Sequence, residues 1–236
     1  MMLNKRIRVE NTGLYDLGPD ALDDDLKQAV LRCIESQMLA ASEQIHAFVA
    51  DPTALEKVSE SALAATLEQK RNVHGIASDR SISNVISFGA THIEGAVIDD
   101  GVRKERLEVD RRMGLKLENL FDTARPLSVT SSGHFWYPKG SYMSWHTNSK
   151  VPGWRIYINY AEEEGRSFFR YQDPHSGNIC TLNDKHWNVR VFRIMADQPF
   201  WHCVYSDTNR FSLGYMIKPD TPHRSMLTRI RKKLKL

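Results

Sequence analysis

The sequence predicts an α+β fold in which a jelly-roll core, that is a cupin-like double-stranded β-helix, is supported by N-terminal helices. Apolar residues of the first half recur at helical spacing, whereas from Pro126 onward short β-rich runs alternate with turn residues. About eight such runs after a helical half are typical of a jelly roll backed by helices. We therefore expect a mainly helical part at 1–126 packed on the core, the jelly-roll core at 127–219 and a basic tail at 220–236.

The helical half begins with an amphipathic pattern. Leu22, Leu26 and Val30 fall on one helical face, and the pattern continues at the same spacing to Phe48. The aspartates at 23–25 occupy the first turn, where the helix dipole favours anions. A long first helix is therefore expected.

Two further helices are predicted before the β-rich half. Asp51-Pro52 is typical of an N-cap followed by proline at N1, which indicates a helix to about Arg71. Short strands are expected at Asn84–Phe88 and Ile93–Ile98. A third helix is predicted over Arg103–Asp122, where apolar residues again share one face.

The β-rich half contains eight predicted strands, separated by turn sequences rich in Gly, Pro, Asp and Asn. They are Leu127–Tyr137, Tyr142–His146, Trp154–Tyr160, Ser167–Tyr171, Asn178–Leu182, Asn188–Met195, Phe200–Tyr205 and Arg210–Ile217.

Composition indicates a cytoplasmic globular protein. No apolar run approaches the roughly 20 residues that span a bilayer, and Met1–Asn11 lacks the apolar segment of a secretory signal. The three cysteines are widely spaced and odd in number, which favours neither a zinc motif nor a disulfide framework.

The net charge of +3 is unevenly distributed. The segment His223–Leu236 has six basic residues and no acid, so the rest of the chain carries −3. The body therefore gives no sign of a nucleic-acid surface, and binding of nucleic acid or an acidic partner is expected only through the basic tail.

Two histidines on predicted strands form a candidate metal site. His146 ends one strand, and Asn148, two residues later, is expected on the same face. His202 lies on the next-to-last strand. Two imidazoles plus an oxygen ligand, with open positions, is the arrangement of non-haem Fe(II) oxygenases. His134, His175 and His186 have weaker contexts and are interpreted as core or surface residues.

The last strand carries a candidate site for a small dicarboxylate. Along this strand Arg210, Ser212 and Gly214 alternate with Phe211 and Leu213. An arginine, a hydroxyl and a gap on one face suit a dicarboxylate, because the guanidinium can pair with a carboxylate and the serine can donate to it. Arg210 alone could be a surface residue, but it follows a candidate metal ligand by eight positions.

These motifs resemble those of the Fe(II)/2-oxoglutarate-dependent dioxygenase superfamily, and the local pattern is nearest to its prolyl-hydroxylase-like branch. The resemblance covers roughly residues 127–217. It implies that His146 and His202 hold Fe(II), and that Arg210 and Ser212 hold 2-oxoglutarate. The Tyr-x-x-Gly at Tyr137 to Gly140 also fits, which implies that Tyr137 contacts the cosubstrate.

One position departs from the family. Asn148 stands where the family has Asp or Glu. Asn148 could ligate weakly through its amide oxygen, or leave a position for water or chloride as in the halogenase branch. Alternatively, a carboxylate such as Asp173 or Asp184 could reach in from a loop. We favour weak ligation, because asparagine is almost isosteric with aspartate.

The resemblance implies an enzyme that hydroxylates a substrate and releases succinate and CO2, with no catalytic residues beyond the metal site. The sequence does not indicate the primary substrate. Two other classes stay open: a jelly-roll binding module without iron, which Asn148 favours, and a zinc or cupin-type metalloenzyme without 2-oxoglutarate, which would have no use for Arg210.

Overall fold

The computed structural model describes residues 7–8, 13–70, 73–75, 80–93, 95–122 and 127–219. The basic tail at 220–236 and the predicted helix end at Arg71 lie outside these residues, so the expectations for them are not addressed by the structure.

Five α-helices are described: α1 (Asp24–Ala40), α2 (Ser42–His46), α3 (Ala54–Lys57), α4 (Glu60–Glu68) and α5 (Asp100–Leu120). The carboxylates of Asp23 and Asp99 accept hydrogen bonds from the backbone of Leu26 and Val102, and so cap α1 and α5. The first predicted helix is two helices in the structure: α1 ends at Ala40, and the short α2 follows it.

The second predicted helix is also divided, and its predicted cap was wrong. Asp51 accepts hydrogen bonds from the backbone and hydroxyl of Thr53 within the turn that precedes α3, and Thr53 is the N-cap of that helix. Ser59 then interrupts the helix and caps α4 by accepting from Ala62 N–H, since a serine side chain competes with the helical backbone pattern.

Twelve strands are described: β1 (Ile7–Arg8), β2 (Leu14–Asp16), β3 (Ile86–Ser87), β4 (Phe121–Asp122), β5 (Leu127–Tyr137), β6 (Ser141–His146), β7 (Gly153–Ala161), β8 (Ser167–Gln172), β9 (Ile179–Asn183), β10 (Trp187–Ile194), β11 (His202–Ser206) and β12 (Arg210–Pro219). The eight predicted strands of the second half match β5 to β12, with boundary shifts of at most two residues. Helices followed by antiparallel sheets confirm the α+β class.

The predicted strand Ile93–Ile98 does not form among the residues of that range that the structure describes. Over Ile93–Ile98 only a single bridge forms, between Phe88 and Val97, because the chain turns where Ile93 N–H donates to Ala90 O. The neighbouring prediction, Asn84–Phe88, corresponds to the two-residue β3.

The strands form two main antiparallel sheets. The first has the order β2-β10-β7-β12-β5-β3, and the second has the order β6-β11-β8-β9. From β5 onward the chain crosses repeatedly between the two sheets, so that strands adjacent in sequence mostly lie in different sheets. A two-stranded sheet pairs β1 with β4.

The six-stranded sheet buries its outer face against the helices. Residues from α1, α5 and the sheet form one apolar cluster, which includes Val30, Cys33, Val109, Ile156, Ile158, Val191, Phe211 and Leu213. The buried Arg106 of α5 donates to Gly214 O at 2.7 Å and stacks on the ring of Tyr215, which fixes the helix to β12. Because strand side chains alternate, the polar residues of β7, β10 and β12 point to the opposite face, between the two sheets.

Among the described residues, none of the helices combines the length and apolar character needed to cross a bilayer.

Candidate functional site

A cavity lies between the two sheets, with about 30 Å³ open to water-sized molecules. Its lining combines apolar walls with a few polar groups, namely Phe135, Tyr137, Met143, His146, Tyr157, Asn159, Phe169, Arg190, Phe192, His202, Val204, Arg210 and Ser212.

The two predicted metal-binding histidines are brought together at this cavity. His146 ends β6, His202 begins β11, and the two residues are direct cross-strand partners. Their ring centroids are 4.1 Å apart, and each residue is 3% exposed. The register of this pairing shifts between His202 and Val204, with the extra residue on β6, and such irregularities commonly re-aim a side chain at a functional site.

Both imidazoles are oriented in the same way. The Nδ1 of His146 lies 2.8 Å from Ser144 O, and the Nδ1 of His202 lies 2.8 Å from Phe200 O. If each Nδ1–H donates to that carbonyl, the two Nε2 atoms keep their lone pairs. This arrangement fixes the tautomer in which Nε2 can bind a metal.

Burial keeps the two imidazoles neutral. Burial lowers the pKa of His146 to about 4, against a smaller opposing effect of its hydrogen bond to Ser144. Burial, together with the neighbouring His146, also holds the pKa of His202 well below its usual range. Neutral imidazole is the form that ligates metals, so proton competition at these residues is weak near neutral pH.

Asn148 reaches the histidine pair, although not by the predicted route. Strand β6 ends at His146, and Asn148 lies beyond it with φ 53°, a left-handed conformation that asparagine tolerates. Its Nδ2 lies 3.3 Å from His202 Nε2. A Cβ added to Gly75 would lie 2.6 Å from Asn148 Oδ1, so only glycine allows this close packing on the amide.

No carboxylate joins this pair among the residues that the structure describes. Nowhere in the described part of the protein do three His, Cys, Asp or Glu side chains lie together in a way that could hold a metal ion. The Oδ1 of Asp173 accepts from the backbone of His175 and Ser176 in an outer turn. Asp184 is committed to two arginines, as described below. The alternative in which Asp173 or Asp184 supplies the missing acid is therefore not supported.

Arg210 lies in the same cavity, at the first position of β12, and is 2% exposed. Its Nε donates to Asp184 Oδ2 at 2.8 Å, and its guanidinium stacks on the ring of Tyr137 at 4.9 Å. Its Nη1 is buried and has no hydrogen-bond partner within the described part of the protein. An unpartnered buried donor is costly, so this atom points to a ligand.

Asp184 joins Arg210 to a second buried arginine. Its Oδ1 accepts from Arg190 Nη1 at 2.5 Å, and its Oδ2 also accepts from the hydroxyl of Ser167 at 2.6 Å. Burial opposes ionisation of Asp184, but Arg210 and Arg190 outweigh it and hold the pKa below its usual value. Asp184 is therefore an ionised bridge between the two guanidinium groups.

Of the remaining predicted residues on β12 and β5, two lie at the cavity and one does not provide the expected space. Ser212 and Tyr137 line the cavity and are each 3% exposed. The expected gap at Gly214 is filled: an added Cβ would lie 2.5 Å from Ser132 O and 2.7 Å from the ring of Tyr157. Gly214 therefore admits neighbouring protein atoms rather than a ligand, and that part of the prediction was wrong.

The weaker histidine candidates lie away from the pair. His134 packs between the ring of Phe88 and the Gln37 and Cys33 side chains of α1. His175 and His186 are exposed, the latter with Nδ1 3.0 Å from Ala161 O.

Four polar residues of the cavity region were not predicted in the roles they have: Tyr157, Asn159, Asp184, which was considered only as a metal ligand, and Arg190. Asn159 has a buried Oδ1 without a partner in the described residues. A signal for three of them exists in the sequence. Tyr157 and Asn159 alternate with isoleucines on β7, and Arg190 lies between valines on β10, so each is a polar residue on an otherwise apolar central strand.

The residues present fit a divalent metal with a small anionic ligand. Two neutral imidazoles with unprotonated Nε2 atoms suit Fe(II) or zinc. The amide of Asn148 faces His202 with its nitrogen and would supply its oxygen as a weak third donor only after rotation. An arginine with an unpartnered Nη1 and a serine, both lining the same cavity as the histidines, suit a ligand that carries a carboxylate.

No family model matches the chain. No curated protein matches it either.

Solved structures give a weak likeness. A 2OG-Fe(II) oxygenase family oxidoreductase from Burkholderia pseudomallei is 13% identical, with a TM-score of 0.41, over 58% of this chain and 66% of that one. A Pseudomonas putida prolyl-4-hydroxylase is 11% identical, with a TM-score of 0.46, over 89% and 95% of the two chains. A Trichoplax adhaerens prolyl hydroxylase, in complex with a hypoxia inducible factor peptide fragment, is 13% identical, with a TM-score of 0.36, over 85% and 96%.

These structural neighbours are 2OG-Fe(II) oxygenase family proteins and prolyl hydroxylases. At this level of likeness, function has to be argued from the site residues themselves.

Proposed function

We propose that the chain is an Fe(II)- and 2-oxoglutarate-dependent oxygenase that hydroxylates a substrate and releases succinate and CO2. One observation carries the proposal. Two buried histidines whose Nε2 atoms face the pair unprotonated when Nδ1 carries the proton, and a buried arginine with an Nη1 unpartnered in the described residues, line the same cavity. A metal centre alone would give Arg210 Nη1 no ligand. A metal centre with a cosubstrate that carries a carboxylate uses both the histidine pair and Arg210.

We further propose that the two sheets form a double-stranded β-helix. The repeated crossing of the chain between the sheets supports this arrangement, and so does the position of the cavity between them. In this proposal 127–219 is the catalytic core and the preceding helices support its outer face. A cytoplasmic location is proposed from the three free thiols, Cys33, Cys180 and Cys203.

Each predicted residue has a defined role in this proposal. His146 and His202 hold the iron through Nε2, and a rotated Asn148 amide offers its oxygen as a weak third ligand. Arg210 holds the distal carboxylate of 2-oxoglutarate, with Ser212 and Tyr137 beside it. The bound iron and 2-oxoglutarate supply the oxidising chemistry, while these residues orient them and the apolar walls exclude water.

A second candidate is a binding module of the same fold without iron. The observation that favours it is the lack of a carboxylate beside the histidine pair among the described residues. A halogenase-like reaction is less compatible with the structure, because the side chain of Asn148 occupies the space beside His202 where chloride would bind.

An anaerobic titration of the purified chain with Fe(II) and then 2-oxoglutarate separates these candidates. The proposed oxygenase gives a weak visible charge-transfer band that needs both components. Metal binding without a band would favour a zinc or cupin-type enzyme, and a repeat with Zn(II) tests that. Absence of metal binding would favour the module and overturn the proposal.

A further inference from the structure

Two buried arginines from different strands converge on one carboxylate at the cavity. Arg190 belongs to β10 and Arg210 to β12, and β7 lies between these strands in the sheet. Each arginine contacts a different oxygen of Asp184, at 2.5 Å from Arg190 Nη1 and 2.8 Å from Arg210 Nε. Both guanidinium groups line the same cavity as the histidine pair.

The charges of this cluster do not balance in the interior. Arg190 and Arg210 carry two positive charges and Asp184 one negative charge, and the three side chains are 2% exposed or less. The carboxylate of Asp16 lies 3.5 Å from Arg190 Nε, but it is 37% exposed, so water screens this contact. An excess buried positive charge is costly unless an anion joins it.

The guanidinium groups are also held in fixed planes. Arg210 stacks on Tyr137 at 4.9 Å, and Arg190 stacks on Phe169 at 5.7 Å. Arg210 Nη1 has no hydrogen-bond partner in the described residues. Arg190 is held by the protein: its Nη1 donates to Asp184, its Nη2 lies 3.4–3.5 Å from Leu182 O, Asn183 O and Asn188 Oδ1, and its Nε faces the Asp16 carboxylate. Such a preorganised pair suits a carboxylate better than a single flexible cation would.

We propose that Arg190 is a second cationic residue of the cosubstrate site, and that Asp184 is the positioning residue that holds both guanidinium groups at the cavity. The distal carboxylate of 2-oxoglutarate is then bound by Arg190 as well as Arg210. This inference rests on the proposed function. It adds to that proposal that two arginines, instead of one, make the site prefer dicarboxylic over monocarboxylic 2-oxo acids.

The test compares two ligands that differ only at the distal end. The dissociation constants of 2-oxoglutarate and 2-oxopentanoate, which has a methyl group in place of the distal carboxylate, are measured anaerobically with Fe(II). The variant Arg190→Met is expected to lose about 10- to 100-fold in 2-oxoglutarate affinity, the range for one charge-assisted hydrogen bond. Its affinity for 2-oxopentanoate should stay within about twofold, because that ligand makes no such bond.

A charge-matched double variant separates ligand binding from folding. Asp184→Asn with Arg190→Met removes both members of the ion pair and leaves the single charge of Arg210, so the net charge is unchanged. Asp184→Asn alone is the reference for the double variant, because both lose the contact of Asp184 with Arg210. If Arg190 binds the ligand, the double variant binds 2-oxoglutarate more weakly than Asp184→Asn by the same factor that separates Arg190→Met from the wild type. If Arg190 only balances Asp184, the double variant and Asp184→Asn bind 2-oxoglutarate equally, which overturns the inference.

The exposed Arg166, paired with Asp207 outside the cavity, provides the control variant Arg166→Met. It should leave both dissociation constants unchanged, and thermal unfolding checks that each variant is folded. Failure of the wild type to bind either 2-oxo acid would contradict the proposed function itself. If Arg190→Met leaves the ratio of the two dissociation constants unchanged, both alone and combined with Asp184→Asn, only the role of Arg190 would be contradicted.

Discussion

Asn148 Nδ2 lies 3.3 Å from His202 Nε2 and occupies the position next to the histidine pair. The amide is wedged against Gly75, where an added Cβ would approach its Oδ1 to 2.6 Å. A neutral donor group therefore stands where a facial triad has a carboxylate. The backbone that carries it is left-handed at φ 53°, a conformation that aspartate also tolerates.

The first prediction is that Asn148→Asp tightens Fe(II) binding. A carboxylate adds a full negative charge at nearly the same position, and interactions with a charged group contribute about 1.5–3 kcal/mol, which corresponds to roughly a 10- to 100-fold lower dissociation constant. Turnover of 2-oxoglutarate, measured as succinate release, should be kept or raised. Anaerobic iron titration provides the affinity.

The control for this substitution is Asn178→Asp in an exposed turn, which makes the same change in net charge far from the cavity lining. It should leave iron affinity unchanged. Weaker iron binding in Asn148→Asp would contradict the assigned position, and chloride-dependent iron affinity in the wild type would favour the halogenase-like alternative.

The second prediction concerns the two imidazoles. His146→Ala and His202→Ala should each abolish stoichiometric iron binding, because the described residues offer no third histidine, cysteine or acid at the pair. Since each ring is buried, His→Gln variants at the same positions limit the loss of packing. His175→Ala, in an exposed turn, is the matched control. Wild-type iron affinity in either cavity variant would show that the histidine is not a ligand.

The third prediction is that Arg210→Ala weakens 2-oxoglutarate binding while the protein stays folded. Loss of a charge-assisted pair in a partly dry site costs about 2–5 kcal/mol. The fold should persist because Asp184 keeps Arg190 and Ser167 as partners. Calorimetry at fixed Fe(II) measures the affinity, with circular dichroism for the fold. Unchanged cosubstrate affinity would contradict the role of Arg210.

Much of the candidate site follows from local sequence patterns. Alternation along β12 correctly puts Arg210 and Ser212 at the cavity, because period two is a property of any strand. The juxtaposition of His146 and His202 depends on the pairing of β6 with β11, 56 residues apart in sequence. It was predicted from the donor types of a non-haem iron site and from the resemblance, since periodicity carries no information on which strands pair.

Other features could not be predicted for physical reasons. The filled space at Gly214 depends on Tyr157 from a neighbouring strand, so a glycine in the sequence does not distinguish a cavity from close packing. Asp184 lies in a predicted loop, and its burial depends on arginines that meet it from β10 and β12. The short helices α3 and α4 were missed as separate elements because a serine within a helical pattern either caps or continues a helix, depending on packing.

The last prediction uses His134, which is partly buried beneath α1 and lies away from the proposed metal site. Gln37 Nε2 contacts His134 Nε2, which accepts a hydrogen bond from it when the ring proton is on Nδ1. Burial, with a smaller contribution from the charge of Arg106, holds its pKa well below the usual value of 6.5. Folded His134 therefore stays neutral at a pH where the unfolded chain is protonated.

This difference fixes the sign of the pH dependence. Above pH 6.5 His134 is neutral in both the folded and the unfolded protein, so the free energy of unfolding has the full contribution of this residue. Below pH 6.5 only the unfolded state binds it, and the free energy of unfolding falls by about 1.4 kcal/mol per pH unit for one group. His146 and His202 add similar terms in the metal-free protein, so the wild type alone does not isolate His134.

The variant His134→Gln removes only this contribution, because glutamine does not titrate and can still pair with Gln37. Urea unfolding of metal-free protein at pH 7.5 and 5.5 should show a decrease in stability that is about 1.4 kcal/mol larger for the wild type than for the variant. An equal decrease in both proteins would mean that His134 is protonated in the folded state, and that its burial against α1 is less complete than the structure shows.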